Sequence, residues 1–464
     1  MSLIDDNSEE CCTSPLEWFK IMPTQTTIEK SIDVEQQSLT SLRDGATIEF
    51  YVAASNDEYI DLENSRLYVK CKVTRDDGTP LQAADVVAPI NGLFNSLWKN
   101  VELDLSNKLI SHSSNMHGYV SMISHLIHDS EESAESERAM QLLYKDTPSQ
   151  MDAIECRRSN SAGVIAGFDM VEGADGAFAM VADDAALGNN GLYKRYMMTR
   201  LSQSVEMLGP LRIDIAEQER YLPNGVSMKL RFHRQKNSFL LMAAEESTFK
   251  VVVEECCLLV RKVKPSPGVF VGHQEALAKQ PAKYPITRKE CKSITVPTGL
   301  RSVKRDNLFL GQLPKRVVVA MVDSAAAAGA YNRNPYNFKT FNINHIQLYT
   351  DGEPVHAQPL TPDLTKNSYL QCYESLYRGL NRLDGEKSNI IKRVDWDKGY
   401  ALFAFDLTPD MDAEDHYSLI KHGNLRLEIN FSTDLPNPID VLMYAEFDNI
   451  IEITNERNVQ HDYT

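Results

Sequence analysis

The stretch ALFAFDLTPDMDAEDHYSLIKHGNLRLEINFSTDLPNPIDVLMYAEFDNIIEI, residues 401–453, carries the pattern on which the fold turns. Leu425, Leu427, Ile429 and Phe431 point one way and Arg426, Glu428 and Asn430 the other, as in a strand buried on one face. A strand at 402–407 precedes it, a turn closes on Gly423 and Asn424, and a third strand follows at 441–453. The chain writes this run once before. Leu211, Ile213 and Ile215 alternate with Arg212 and Asp214, and Asn224–Gly225 makes a turn. Val226, Met228, Leu230 and Phe232 then alternate with Ser227, Lys229 and Arg231, and an apolar strand closes the set at 251–260.

Working outward, the two halves share one order: two strands, a third ending in a polar turn, a helix, then three strands. In the first half the strands begin with Ile48, Phe50 and Val52, continue at 67–73 and 97–105, and give way to helical spacing at Tyr119, Val120, Ile123, Leu126 and Ile127. A second short helix is expected at 135–144. In the second half strands are expected at Ile294–Val296, 316–322 and 346–349, then a helix carrying Tyr369, Cys372, Tyr373, Leu376 and Leu380 on one face. Many short strands with one helix per half predict an all-β protein of two tandem antiparallel jelly-roll sandwiches, a double jelly roll. Two immunoglobulin-like sandwiches are the alternative, although a helix after the third strand is less expected there.

The expected organisation is an acidic N-terminal arm at 1–44, a first jelly roll at 45–262, a linker at 263–290, a second jelly roll at 291–455 and a tail at 456–464. Within the first unit, residues 161–190 hold eight alanines, five glycines and five acids with no Lys or Arg, and read as an exposed insertion. At 464 residues the chain exceeds what one core usually supports, and 42% apolar residues suffice for two.

Net charge is −17, which argues against a surface that grips nucleic acid throughout. Residues 261–316 run the other way: thirteen Lys or Arg against three acids, a net +10 that leaves −27 on the rest. The belt containing Lys262, Lys264, Lys289 and Lys292 is a candidate interior surface toward DNA, or a face for an acidic neighbour such as the insertion of another copy. No run of about 18 apolar residues predicts a membrane span. The start, with Asp5, Asp6, Glu9 and Glu10, lacks the features of a secretory signal, so a reducing cytosol or nucleus is expected. Eight cysteines without a Cys-x-x-Cys spacing read as buried free thiols.

Catalytic chemistry finds little support. No phosphate loop and no nucleophile elbow occur. His112, His117, His125 and His128 with Asp129 form the one metal-like cluster, but without a His-Glu-x-x-His spacing; surface or helix-end histidines are the simpler reading. Asp406, Asp410 and Asp412 lack the glycine and glutamate of a calcium loop. Trp98 and the Tyr331–Tyr336 loop are the candidates for a sugar platform. No cofactor and no enzyme activity are expected.

Several motifs resemble the major capsid (hexon) proteins of Polinton/Maverick elements and adintovirus-like viruses, of the double jelly-roll lineage. They are EYIDLENSRLYVK (58–70), PINGLFNSLWKNV (89–101), NLFLGQLPKR (307–316), GYALFAFDLTP (399–409), LIKHGNLRL (419–427) and YAEFDNIIE (444–452). The resemblance implies a homotrimeric, pseudo-hexagonal capsomer tiling an icosahedral shell around double-stranded DNA. Its implied partners are other copies of the chain, neighbouring capsomers, a penton or minor capsid protein, and non-specific contact with packaged DNA. The implied location is the virion. A domesticated host jelly-roll protein or a carbohydrate-binding module is the alternative.

Overall fold

The computed structural model describes residues 14–461 apart from 17, 20, 43–46, 155–158, 161–162, 165–187, 245–247, 310, 384–388 and 412–415. The expected insertion at 161–190 therefore lies almost wholly outside the described residues.

The first sandwich has eight strands: β1 (Ile28–Gln37), β2 (Ile48–Val52), β3 (Tyr59–Arg75), β4 (Trp98–Leu105), β5 (Lys108–His112), β6 (Val205–Pro210), β7 (Met228–Arg234) and β8 (Phe249–Pro265). They form two sheets, in the orders β1-β8-β3-β6 and β2-β7-β4-β5. The second sandwich repeats this with β9 (Ala282–Val296), β10 (Ser302–Arg305), β11 (Arg316–Asp323), β12 (Ile343–Thr350), β13 (Glu353–Pro354), β14 (Leu402–Asp406), β15 (Leu425–Phe431) and β16 (Ile439–Ile453). Its sheets run β9-β16-β11-β14 and β10-β15-β12-β13, with β17 (Val459–His461) added beside β16. Strand for strand, both orders are first-eighth-third-sixth and second-seventh-fourth-fifth. This is a double jelly roll, as the sequence predicts.

The alternating strands are where the pattern places them. In β15 the four apolar side chains are buried and Arg426, Glu428 and Asn430 half-exposed. Burying each such side chain is worth about 1.5–3 kcal/mol. Its counterpart β7 enters from a turn in which Gly225 takes φ 81°, a left-handed conformation that glycine adopts without steric cost. Phe232 of β7 then packs on Phe50 at 5.9 Å and on Trp98 at 5.0 Å. Each half also carries a helix between its fifth and sixth strands, α1 (His117–His128) in the first and α4 (Leu370–Arg378) in the second. Among the shorter helical turns between them in sequence lie two longer helices, α2 (Asn190–Thr199) and α3 (Pro267–Leu277).

Four boundaries differ from the sequence reading. Residues 28–37, expected in the arm, pair with β8 from Ile28–Pro265 to Gln37–Cys257. This edge strand has only Ile28, Ile32 and Val34 as apolar residues, too few to show a period. The expected linker at 263–290 is shorter: β8 runs to Pro265, α3 follows, and β9 starts at Ala282. Pro285 does not stop β9 because β9 is an edge strand, where a missing N–H costs no ladder bond. Residues 211–217 bury Leu211, Ile213 and Ile215 but form no strand; β6 ends at Pro210, and a 3-10 turn at Asp214–Glu217 follows. The short helices after α1 are Glu131–Glu135 and Glu137–Gln141, one turn earlier than expected.

Candidate assembly surfaces

The sandwiches are fastened to each other by a loop and by a buried set of charges. The loop joins β11 to β12 and sends Tyr336 into the first unit. Its ring lies edge-on to Tyr119 at 5.7 Å and to Phe239 at 6.0 Å, and its hydroxyl is 2.6 Å from Ser96 Oγ. Gly118 admits it, since a Cβ there would stand 2.8 Å from the Tyr336 oxygen. Beside it, Asn334 donates to Asp146 Oδ2 at 2.9 Å, and Asp146 Oδ1 takes Arg195 at 2.6 Å with both ionic side chains fully buried. Tyr400 donates to the Asp146 carbonyl at 2.7 Å, and Lys339 and Asn337 both reach Asp152, at 2.7 and 2.8 Å. Each link pairs a residue of one half with one of the other, apart from Arg195–Asp146 within the first. Buried polar groups paired this fully fix one relative orientation rather than a range of them.

The second patch lies where α1 and the 3-10 turn at Asp214–Glu217 meet β9 and β16. Lys289 of β9 places its ammonium on Glu217 and 3.3 Å from Ser124 Oγ. Arg316 of β11 donates to Glu446 Oε2 at 3.0 Å and to the Gly379 carbonyl at 2.7 Å. Tyr444 donates to Glu446 Oε1 at 2.7 Å, and His128 Nε2 stands 3.6 Å from the same oxygen. Burial alone would raise the Glu446 carboxyl; Arg316, His128 and Lys289 outweigh it and hold the group at about 2. Glu217 is held at about 2 in the same way, chiefly by Lys289 and Arg212 against its burial. Asp214 goes the other way, to about 7, because burial and the Glu217 charge both oppose its ionisation.

Of the histidine cluster, expected at the surface or at helix ends, His117 and His125 are buried, and His128 reaches the second sandwich. His117 Nδ1 is 3.0 Å from Ser113 Oγ, and His125 Nδ1 is 2.6 Å from Asp129 Oδ2. His128 turns instead to Glu446. Burial pushes His117 and His125 down to about 4, so both are neutral near pH 7. Among the described residues no group of three or more His, Cys, Asp or Glu side chains is arranged to hold a metal ion. Of the aromatic candidates for a sugar platform, Trp98 and Tyr336 are each 1% exposed, and the half-buried Tyr331 donates to the Phe249 carbonyl at 2.8 Å.

The four lysines of the expected belt divide between β8 and β9. Lys262 pairs with Glu58 at 3.1 Å, Lys264 with Glu29 and Asp57 at 3.9 Å each, and Lys292 with Glu290 at 3.3 Å. Lys292 also lies 4.6 Å from the Phe309 ring centre, and Lys289 is the interface residue already described. Each carries at least one carboxylate, which lowers the charge left for a polyanion. Tyr336–Ser96, Asn334–Asp146 and Arg316–Glu446 are pairs that the sequence does not reveal. Their partners lie between 130 and 240 residues apart, and no local pattern reports such pairing.

An exposed apolar segment and a groove of mixed lining complete the surface features. Leu16, Trp18, Phe19, Ile21 and Met22, ahead of β1, are 66–97% exposed. On the second sandwich a groove of about 640 Å³ is lined by Leu313, Val355 and Leu407 together with charged side chains such as Lys315, Asp351 and Asp448.

No family model matches the chain. It is 22% identical over 423 residues to an uncharacterized protein of Caenorhabditis elegans, F54H12.2, covering 88% of this chain and 92% of that one. Among solved structures, a chain of the Sputnik virophage superposes with a TM-score of 0.61 at 11% identity, covering 98% of this chain and 93% of its own length. The faustovirus major capsid protein gives 0.60 at 10% identity, covering 96% and 92%, and the mavirus major capsid protein 0.52 at 9%, covering 99% and 96%. Over nearly its whole length, then, the chain shares its double jelly-roll fold with viral major capsid proteins.

Proposed function

We propose that this chain is a major capsid protein whose copies associate as homotrimeric, pseudo-hexagonal capsomers of an icosahedral shell around double-stranded DNA. The observation that carries the reading is the pair of jelly rolls with identical strand order, locked side by side in one chain by buried contacts. Three such chains around a three-fold axis present six similar sandwiches, so a trimer fills a six-fold lattice position. Closed, repeated contacts of this kind build a shell without catalysis. The near full-length likeness to capsid proteins of faustovirus and mavirus supports it, and the motif resemblance supports a Polinton/adintovirus-like lineage.

On this reading the protein acts in the virion as a structural, non-enzymatic component, beside neighbouring capsomers and a penton or minor capsid protein. DNA contact is non-specific and weak, because Lys262, Lys264, Lys289 and Lys292 are already paired with carboxylates. Among the described residues no helix is long and apolar enough to cross a membrane. The worm relative favours a second reading, a domesticated host protein of the same fold.

Light scattering of the purified chain tests the proposal. Trimers with hexagonal outline, and shells by negative-stain microscopy, are expected. A strictly monomeric protein that forms no particles under any salt or pH condition would overturn the capsid reading and favour the domesticated one.

A further inference from the structure

We propose that the open outer face of the β1-β8-β3-β6 sheet receives the second sandwich of a neighbouring copy, whose α4 takes the place that α1 holds within the chain. The inference rests on the reading that copies of this chain assemble, and it names the surfaces through which they do so.

Inside the chain, the contact between the sandwiches joins two different kinds of surface. One is the outer face of the β9-β16-β11-β14 sheet. The other is the flank of the first sandwich that carries α1 and the turn at Asp214–Glu217. Lys289 of β9 meets Ser124 of α1 and Glu217 of the turn, and His128 at the end of α1 stands 3.6 Å from Glu446 of β16. Each sandwich owns both kinds of surface, because the strand orders match and each carries a helix between its fifth and sixth strands. One of each still faces solvent: the sheet face of the first sandwich and, on α4 of the second, Leu370 and Arg378, with 55% of each exposed. Surfaces of two kinds, joined head to tail, close into a ring when the rotation allows it.

The open face has the make-up of a contact surface. Register sets Tyr68 of β3 beside Leu208 of β6, and Leu259 of β8 beside Arg66. These apolar side chains point away from the core and are only half-buried, while Leu67 and Met207, pointing inward, are buried. Charges surround them: Lys70 lies 3.7 Å from Glu206 and Lys72 2.7 Å from Glu254. An apolar centre with a polar rim is how protein interfaces are composed. The flank brings a matching charge. α1 and α4 each end on a basic residue, His128 and Arg378. Glu446 and Glu254 also correspond, each sitting on the eighth strand and paired with a basic residue of the third. Carried over to the two open surfaces, the His128–Glu446 contact sets Arg378 of one copy on Glu254 of the next. Arg378 already holds Glu374 of its own helix, and a guanidinium has donors enough for a second carboxylate.

Light scattering of full-chain variants tests this. Tyr68→Asp puts a charge at the centre of the contact and should reduce trimers to single chains. Tyr51→Asp, on the outer face of the other sheet and 43% exposed, should leave them intact. Arg378→Glu and Glu254→Arg should each weaken assembly, and the two together should restore it. Each of these alone removes only a solvent-accessible ion pair within the chain, so their urea midpoints should stay close to the parent's. If Tyr68→Asp does not fold, the charge exchange decides alone. Trimers that survive a folded Tyr68→Asp, loss of trimers in Tyr51→Asp as well, or a double variant no better than the singles would overturn the proposal and leave the assembly reading standing. A parent protein that is monomeric would sink both.

Discussion

The same two strands of each jelly roll, the third and the eighth, carry an ion pair in both halves, and the two pairs live in different surroundings. In the first sandwich Lys72 of β3 meets Glu254 of β8 at 2.7 Å, with 35% and 27% of the side chains exposed. In the second, Arg316 of β11 meets Glu446 of β16 at 3.0 Å, with 2% of each exposed. Topology has been repeated, but the outer face of this sheet has not. In the first half it is open to solvent around the pair. In the second it is covered, with His128 of α1 beside Glu446 and the Gly379 carbonyl after α4 on Arg316. That cover explains why β11 and the middle of β16, residues 441–447, are buried without alternation, while β3 alternates along most of its length. The half with the closed face is the one that docks against its sibling.

The contrast is open to a direct break. Arg316→Met leaves Glu446 buried beside Tyr444 with its main counter-charge gone, and removing one partner of a buried pair costs about 3–5 kcal/mol. Lys72→Met, at the exposed pair, should cost about 0–1 kcal/mol. Urea unfolding of the two variants measures both. Equal losses would mean that the two faces are not energetically different and that the burial argument is wrong.

A smaller effect should come from pH, because the interface holds groups with opposed preferences. His117 and His125 titrate at about 4 in the folded chain against 6.5 for the ordinary group. The unfolded chain therefore binds more protons between those values, and stability from this source falls as pH drops from about 6.5 to 4. Asp214, raised from 3.8 to about 7, has the opposite sign: the folded chain holds its proton longer, so its share of stability declines as pH rises from about 4 to 7. Asp214→Asn removes only the second slope. Its urea midpoint relative to the parent protein should therefore improve between pH 5 and pH 8. An unchanged difference across that range would show that Asp214 is already ionised in the folded protein.

How much of this could be read from the chain alone follows from range. Strands that bury one face over seven residues, such as β7 and β15, announce themselves, and their recurrence gave away the duplication. Strands with little apolar content did not. β10 buries only Val303, β13 is Glu353–Pro354 and wholly exposed, and β1 reads as a polar arm. The jelly roll was legible because its long strands carry the period, while its edges are held mostly by backbone bonds that no side-chain pattern reports. The assembly surfaces were legible only as composition. The lysines of the basic belt could be counted, but the carboxylates that answer Lys262 and Lys289 lie 204 and 72 residues away. The histidines read as surface or helix-end groups, because sequence spacing shows neither the burial of His117 and His125 nor that His125 and His128 turn to different neighbours.

A modest effect sharpens what joins the halves. Tyr336→Phe keeps the ring between Tyr119 and Phe239 and deletes only the hydroxyl at Ser96. Ser96 Oγ still has the Gly92 carbonyl at 2.9 Å, so no buried group is stranded. The loss should be that of one ordinary hydrogen bond, about 0.5–1.5 kcal/mol. Unfolding should stay a single transition, because the aromatic packing and the Asn334–Asp146 bond still couple the sandwiches. Two separate transitions in this variant would reverse the assignment. The hydroxyl would then be the tie between the sandwiches, and the rings merely its packing.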